Sequence, residues 1–133
     1  MGGIIRKLKE IGFSDENIVL DSGIGFGKTT YQNLEILQRS NELKSLGIPI
    51  MIGHSRKGYI NAFSNYPADA RDIETIAISE IISQHVDYIR VHNVREHMRS
   101  LVVKKVYLAG NLFFLRLLTS YLISMKLESI TKK

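Results

Sequence analysis

Three short apolar runs set the limits on what this chain can fold into. Ile18-Val19-Leu20, Ile48-Pro49-Ile50-Met51-Ile52 and Val86-Asp87-Tyr88-Ile89-Arg90-Val91 are each followed by a polar turn and then by a segment of helical periodicity. Apolar runs of this length, rich in β-branched residues, read as buried strands. Pro49 sits near the start of its run, where a missing N–H costs least. The strand–helix spacing of roughly thirty to forty residues predicts parallel strands joined by crossover helices. Three such strands cannot close a barrel by themselves. They form either a small doubly wound sheet or part of something larger.

The helices are predicted from the spacing of apolar residues. Ile4, Ile5, Leu8 and Ile11 share one face of a first helix, and Gly12 is placed to end it. A second helix is expected over 31–46, with Leu34, Leu37, Leu43 and Leu46 inward and Gly47 beyond its end. A third is expected over 69–84, with Ile73, Ile76, Ala77 and Ile81 on the buried face and Asp69 as its cap. A fourth covers 94–108, with Val94, Met98, Leu101 and Val102 inward. The stretch from Leu112 to Met125 is apolar on nearly every side and is interrupted by Arg116. It is short of the roughly 20 residues a membrane span needs. A core or partner-facing helix is the first expectation for it, and a membrane-surface helix the second.

Composition narrows the function classes. The 133 residues include no Cys, which excludes a disulfide framework and a Cys-based metal site. The net charge of +5 is expected on a solvated surface or toward an anionic ligand. No basic motif interleaved with aromatics points to nucleic acid. The first residues lack the long apolar stretch of a signal peptide, so a cytoplasmic protein is expected.

The loop Asp21-Ser22-Gly23-Ile24-Gly25-Phe26-Gly27-Lys28-Thr29 invites a nucleotide reading. The phosphate-loop pattern needs a glycine where Ser22 stands, and no Asp ends a later strand to hold magnesium. The dinucleotide pattern needs a third glycine where Lys28 stands. Asp21, at the C-terminal end of its strand, suggests another use, because that edge of a parallel sheet is where ligands bind. The second strand is followed by Ser55-Arg56-Lys57, and the third carries or precedes Arg90 and His92. One edge thus receives a carboxylate, an ammonium, a guanidinium and an imidazole. A ligand that is donor-rich at one end and anionic at the other would suit them.

The segments LDSGIGFGKTTYQN, GIPIMIGHSRKGYI, ARDIETIAISEII and VDYIRVHNV resemble, in order and spacing, the C-terminal half of dihydropteroate synthase. That resemblance covers about residues 12–108. It implies a partial TIM-type (β/α)8 barrel, strands six to eight with their helices, as a pterin-binding domain over 1–108, with a C-terminal extension over 109–133. It implies condensation of 6-hydroxymethyl-7,8-dihydropterin diphosphate with p-aminobenzoate to dihydropteroate, in folate biosynthesis. Asp21 resembles the carboxylate that pairs with the pterin donor edge. Lys57 resembles the lysine that contacts pterin acceptors. Arg90 and His92 resemble the pair that binds the leaving diphosphate. Phe26, Lys28, Ser55, Arg56 and Gly58 fall around the p-aminobenzoate pocket. For several of these a plainer role stands beside the functional one. Phe26 is equally expected to be an apolar loop anchor, Ser55 a helix cap, and Arg56 a side chain packed across the barrel mouth.

The resemblance also implies Mg²⁺, whose asparagine ligand lies in the family's first strands. No metal ligand is expected here. Ser22 replaces the usual proline, Asn93 the usual aspartate, and Gly58 a frequent serine. A whole barrel of this kind needs about 250 residues. A complementary N-terminal half or a second copy is therefore an expected partner, beside the two small-molecule substrates. A non-catalytic remnant or pterin-binding module is the alternative. A methyltetrahydrofolate-binding methyltransferase fits less well, since it has no diphosphate for Arg90 and His92 to hold.

Overall fold

The computed structural model describes residues 2–109. The expectations for the apolar 112–125 stretch and the 109–133 extension lie outside these residues, apart from Ala109. The chain divides into a compact unit, Met1–Val94, and a second unit, Arg95–Lys133.

In the first unit the order is α1 (Gly2–Glu10), β1 (Leu20–Asp21), α2 (Thr30–Gln38), β2 (Ile50–Ile52), α3 (Asp72–Ile82) and β3 (Tyr88–Ile89). Four short 3-10 segments lie between them, at Asp15–Asn17, Ser40–Leu46, Gly58–Ala62 and Ala68–Ala70. The strands form one parallel sheet in the order β1-β2-β3, with Leu20 opposite Ile50 and Ile52 opposite Ile89. Sequential parallel order is what consecutive units of a barrel produce. A doubly wound sheet would reverse its order at a switch point. The N-terminal edge is pinned by polar bonds: Leu20 N–H donates to the Pro49 carbonyl, and Ile50 N–H to the Asp87 carboxylate, 2.8 Å away.

Side chains alternate across the sheet. Ile50 and Ile52 turn toward the helices. They pack with Leu34 and Leu37 of α2 and Ile78 and Ile82 of α3, and with Ile24, Tyr59, Ile60 and Val86. A smaller cluster at the other end joins Ile5 and Leu8 of α1 to Ile18, Ile48 and Leu46. The opposite face of the sheet carries Asp21, Met51 and Tyr88 in register, with Val19 before them. Val19 and Tyr88 are about half exposed.

Several helical expectations are corrected. In α1 only Ile5 and Leu8 pack inward, and Ile4 and, just past its end, Ile11 face solvent. The second helix stops at Gln38 and continues as a 3-10 segment to Leu46, closed by Gly47 in the left-handed region. The change of winding falls where Arg39 turns its guanidinium onto Glu42 and Ser40 is buried. In α3 the predicted inner face is the outer one. Ile73 is 80% and Ile81 65% exposed, while Thr75, Ser79 and Ile82 are buried. Asp69 does not cap α3, which starts after Arg71 without a side-chain cap. The helix Val94–Ala109 (α4) exposes Val94 and Met98 and buries His97, where the periodicity placed Val94 and Met98 inside. Among the described residues no helix is long and apolar enough to cross a membrane.

Candidate functional site

The glycine loop after β1 is held by bonds within the protein. Gly23, Gly25 and Gly27 all have positive φ, between 61° and 81°, which glycine adopts without steric cost. Gly23 N–H donates to Asp21 Oδ1 at 2.8 Å, and Gly25 N–H to Asn33 Oδ1 at 2.8 Å. Lys28 Nζ donates to the carbonyls of Gly23 (2.7 Å) and Phe26 (3.3 Å). A phosphate cradle needs such N–H groups directed at a ligand. Here two of them face protein acceptors, which agrees with setting the nucleotide reading aside. Lys28 thereby staples the loop onto itself. The apolar anchor of the loop is Ile24, fully buried, and not Phe26, which is 62% exposed. Lys57 Nζ lies 4.5 Å from the Phe26 ring centre, a cation–π distance.

After β2 the chain runs Gly53-His54-Ser55-Arg56-Lys57. Ser55 does not cap the following 3-10 turn. Its buried Oγ lies 2.9 Å from His92 Nδ1 and accepts from the His92 backbone N–H at 3.3 Å. One hydroxyl therefore holds both the backbone and the ring of His92 and leaves Nε2 as the ring's other polar atom. Arg56 adopts a left-handed φ of 58°, unusual for a side chain with a Cβ. Its Nε and Nη2 form a bidentate pair with Asp72, at 2.7 and 2.8 Å, and this pairing raises its pKa. Gly58, exposed, begins the 3-10 turn and has open space where a Cβ would be.

The brace behind this loop was not assigned from sequence. Asp72 also accepts from Asn93 Nδ2 at 2.9 Å. Thr75 Oγ1 accepts the Arg56 N–H (3.2 Å) and donates to the Arg71 carbonyl (2.7 Å). Arg71 Nη1 donates to the carbonyls of Arg56 and Lys57, both at 3.3 Å. The start of α3 thereby ties the loop bearing Lys57 to the loop bearing His92. In the segment Arg71-Asp72-Ile73-Glu74-Thr75, Arg71 and Thr75 are four apart and meet the Arg56 backbone, while Asp72 meets the Arg56 side chain. Asn93 serves this brace as a donor. A buried chain lies beneath it: His54 bonds Tyr59 OH through Nδ1 and Ser79 Oγ through Nε2, each at 2.9 Å.

The residues expected to face a ligand meet at the C-terminal rim of the sheet. Gly53, Ser55, Lys57, Arg90, Val91 and His92 line a pocket of about 340 Å³. Arg90 Nη2 reaches Asp21 Oδ2 at 3.3 Å, so the carboxylate of β1 and the guanidinium after β3 touch across β2. Asp21, Lys57, Arg90 and His92, predicted from separate segments, thus lie on one edge. Lys28 and Arg56 have their charged groups engaged elsewhere, and Phe26 lies under Lys57. For the expected Mg²⁺, no group of three or more His, Asp or Glu among the described residues is placed to hold an ion. Among the described residues the donor set offers no cage for a resident metal.

A parallel sheet in sequential order, with acid, amine, guanidinium and imidazole on its C-terminal rim, defines a ligand-binding segment of a (β/α)8 barrel. Pterin binding enzymes match residues 3–92, and the chain belongs to that family, with the dihydropteroate synthases of folate synthesis. It is 45% identical over 98 residues to the dihydropteroate synthase of Clostridium beijerinckii, covering 72% of this chain and 36% of that protein. It is 38% identical to the folate synthesis bifunctional protein of Chlamydia caviae, covering 73% of this chain and 22% of that one. Among solved structures, the Clostridium difficile dihydropteroate synthase in the presence of pteroic acid aligns with a TM-score of 0.68 and 43% identity. That alignment covers 72% of this chain and 37% of the other. The Anaplasma phagocytophilum synthase with bound 6-hydroxymethylpterin-monophosphate aligns with a TM-score of 0.73 and 32% identity, over 79% and 41%. The chain therefore spans about a third or less of the curated relatives it matches, and only part of their barrel.

Proposed function

We propose that this chain supplies pterin and diphosphate contacts of a dihydropteroate synthase reaction, with the remaining strands provided by another segment. The observation that carries this reading is the shared rim: Lys57, Arg90 and His92 line one pocket and Asp21 touches Arg90 beside it. A pterin presents two N–H donors along one edge, which a carboxylate matches with two acceptor oxygens. Asp21 takes that role and Lys57 faces ring acceptors. Arg90 and His92 hold the diphosphate, and Ser55 orients the imidazole. The pterin-phosphate bound by the Anaplasma phagocytophilum relative has the same two-ended chemistry.

The reaction asks little of a side-chain base. The amine nitrogen of p-aminobenzoate bonds to the pterin methylene carbon as that carbon's bond to the diphosphate oxygen breaks. The electron pair leaves with the diphosphate, and the amine proton passes to solvent. Positioning both substrates and neutralising the departing charge are what the rim contributes. Phe26 and Lys57 form the wall nearest the glycine loop, where the aminobenzoate ring is placed. No step is assigned to Mg²⁺ on the residues present.

A pterin-binding module without turnover is the second reading, favoured by the half-exposed Val19 and Tyr88 on the sheet's open face. Calorimetric titration of the pterin diphosphate into the full chain tests both. Binding that weakens at least about tenfold in Asp21→Ala is expected, the loss typical of a hydrogen bond to a charged group. Dihydropteroate formation on adding a segment that carries the remaining strands separates the enzyme from the module. No binding by a folded chain would overturn the module, and no dihydropteroate formation with the added segment would overturn the enzyme reading.

A further inference from the structure

We propose that Gly53 is a positioning residue for Arg90: its missing side chain lets the guanidinium cross β2 at the rim. This rests on the reading of Arg90 as an anion ligand and names what places it. A Cβ built on Gly53 would lie 2.7 Å from Arg90 Nη2, 3.0 Å from Nε and 3.1 Å from Cζ. The guanidinium therefore lies directly on the bare backbone. Gly53 lacks the left-handed φ of Gly23, Gly25 and Gly27, so its backbone makes no demand for glycine. The group above it does.

The geometry follows from strand alternation. Met51 shares a face with Asp21 and Tyr88, and two residues on, Gly53 shares it with Arg90. The Arg90 N–H is fixed to the Ile52 carbonyl at 3.0 Å, so the side chain starts just after β3 and must pass over position 53 to reach Asp21. Any Cβ there meets the mobile end of the arginine, which swings away at little cost. The fold survives, and the guanidinium leaves both Asp21 and the pocket floor. Gly53 thus acts through Arg90 and touches no reacting atom.

The test is a mutant cycle on the full chain, with inorganic diphosphate as the calorimetric probe. Gly53→Ala is expected to weaken binding about tenfold, close to Arg90→Ala. The double variant is expected to bind no more weakly than Arg90→Ala alone. Unchanged affinity in Gly53→Ala, or losses that add in the double variant, would overturn the proposal. A readout without ligand separates it from the function reading. The Arg90 side-chain N–H signal, identified by its loss in Arg90→Lys, is expected to shift in both Gly53→Ala and Asp21→Asn. A chain that binds no diphosphate yet shows both shifts contradicts the anion site and keeps the Gly53 contact. A signal unmoved by Asp21→Asn overturns the contact even where Gly53→Ala does not fold.

Discussion

At the scale of single residues, polar side chains with one fixed partner set the shape of the rim. Asp72 is the centre of the brace, with Arg56 bidentate on one side and Asn93 on the other, and both ions are about three-quarters buried. Asp72→Ala leaves a partly buried guanidinium without its carboxylate and removes the support for a left-handed Arg56. A loss of about 1–3 kcal/mol is expected in urea unfolding. Tyr59 gives a pH prediction. Burial raises its pKa, so the folded state disfavours the phenolate relative to the unfolded chain. For a raised folded pKa, the contribution to stability is present below the unfolded value of about 10 and is lost as pH rises through the folded one. Absorbance titration should show one tyrosinate appearing only with alkaline unfolding, and Tyr59→Phe should remove that step.

At the scale of elements, α2 and α3 illustrate two different sources of helix placement. The start of α2 is set locally. Thr29 Oγ1 accepts from Gln32 N–H, and Gln32 Oε1 accepts from Thr29 N–H, a reciprocal capping box. Thr29→Ala is expected to cost about 1 kcal/mol in thermal or urea unfolding. The face of α3 is set by tertiary contacts. Its inner stripe, Thr75-Ser79-Ile82, meets the Arg56 backbone, His54 and the core. Small hydroxyl side chains there satisfy buried polar groups that isoleucine could not. Ile73→Ser and Ile81→Ser should change the stability of this chain by no more than about 0.5 kcal/mol. Ile82→Ala should cost about 2–5 kcal/mol, because Ile82 is 1% exposed in the main cluster. Equal losses in all three variants would reverse the assignment of faces.

At the scale of the whole molecule, the sheet is covered on one side and open on the other. Ile50 and Ile52 are sealed by α2 and α3, while Val19 and Tyr88 face outward on the side that bears Asp21 and Arg90. In a closed barrel that side is the packed interior. Tyr88→Lys should therefore leave the stability of this chain within about 0.5 kcal/mol, as for an exposed site. The same variant should abolish assembly with a segment supplying the other strands, since a lysine would then be buried without a partner. Co-elution of the two segments, with and without the substitution, checks this. Assembly that tolerates the lysine would place the missing strands elsewhere.

Legible in the sequence alone were the parallel strand–helix order, the strand-end positions of Asp21, Lys57, Arg90 and His92, and the mismatch of the glycine loop to the nucleotide patterns. These rest on local signals, namely short apolar runs, glycine positions and residues at strand ends, which neighbouring residues alone specify. Tertiary contacts were needed to show which face of α3 is buried, that Arg56 pairs with Asp72 and Lys28 with the Gly23 carbonyl, and that Gly53 lies under a guanidinium. Each of those depends on a partner 5 to 37 residues away along the chain. Periodicity counts apolar residues but cannot see a buried hydroxyl's partner, and a motif names a side chain without stating which of two carboxylates it will meet.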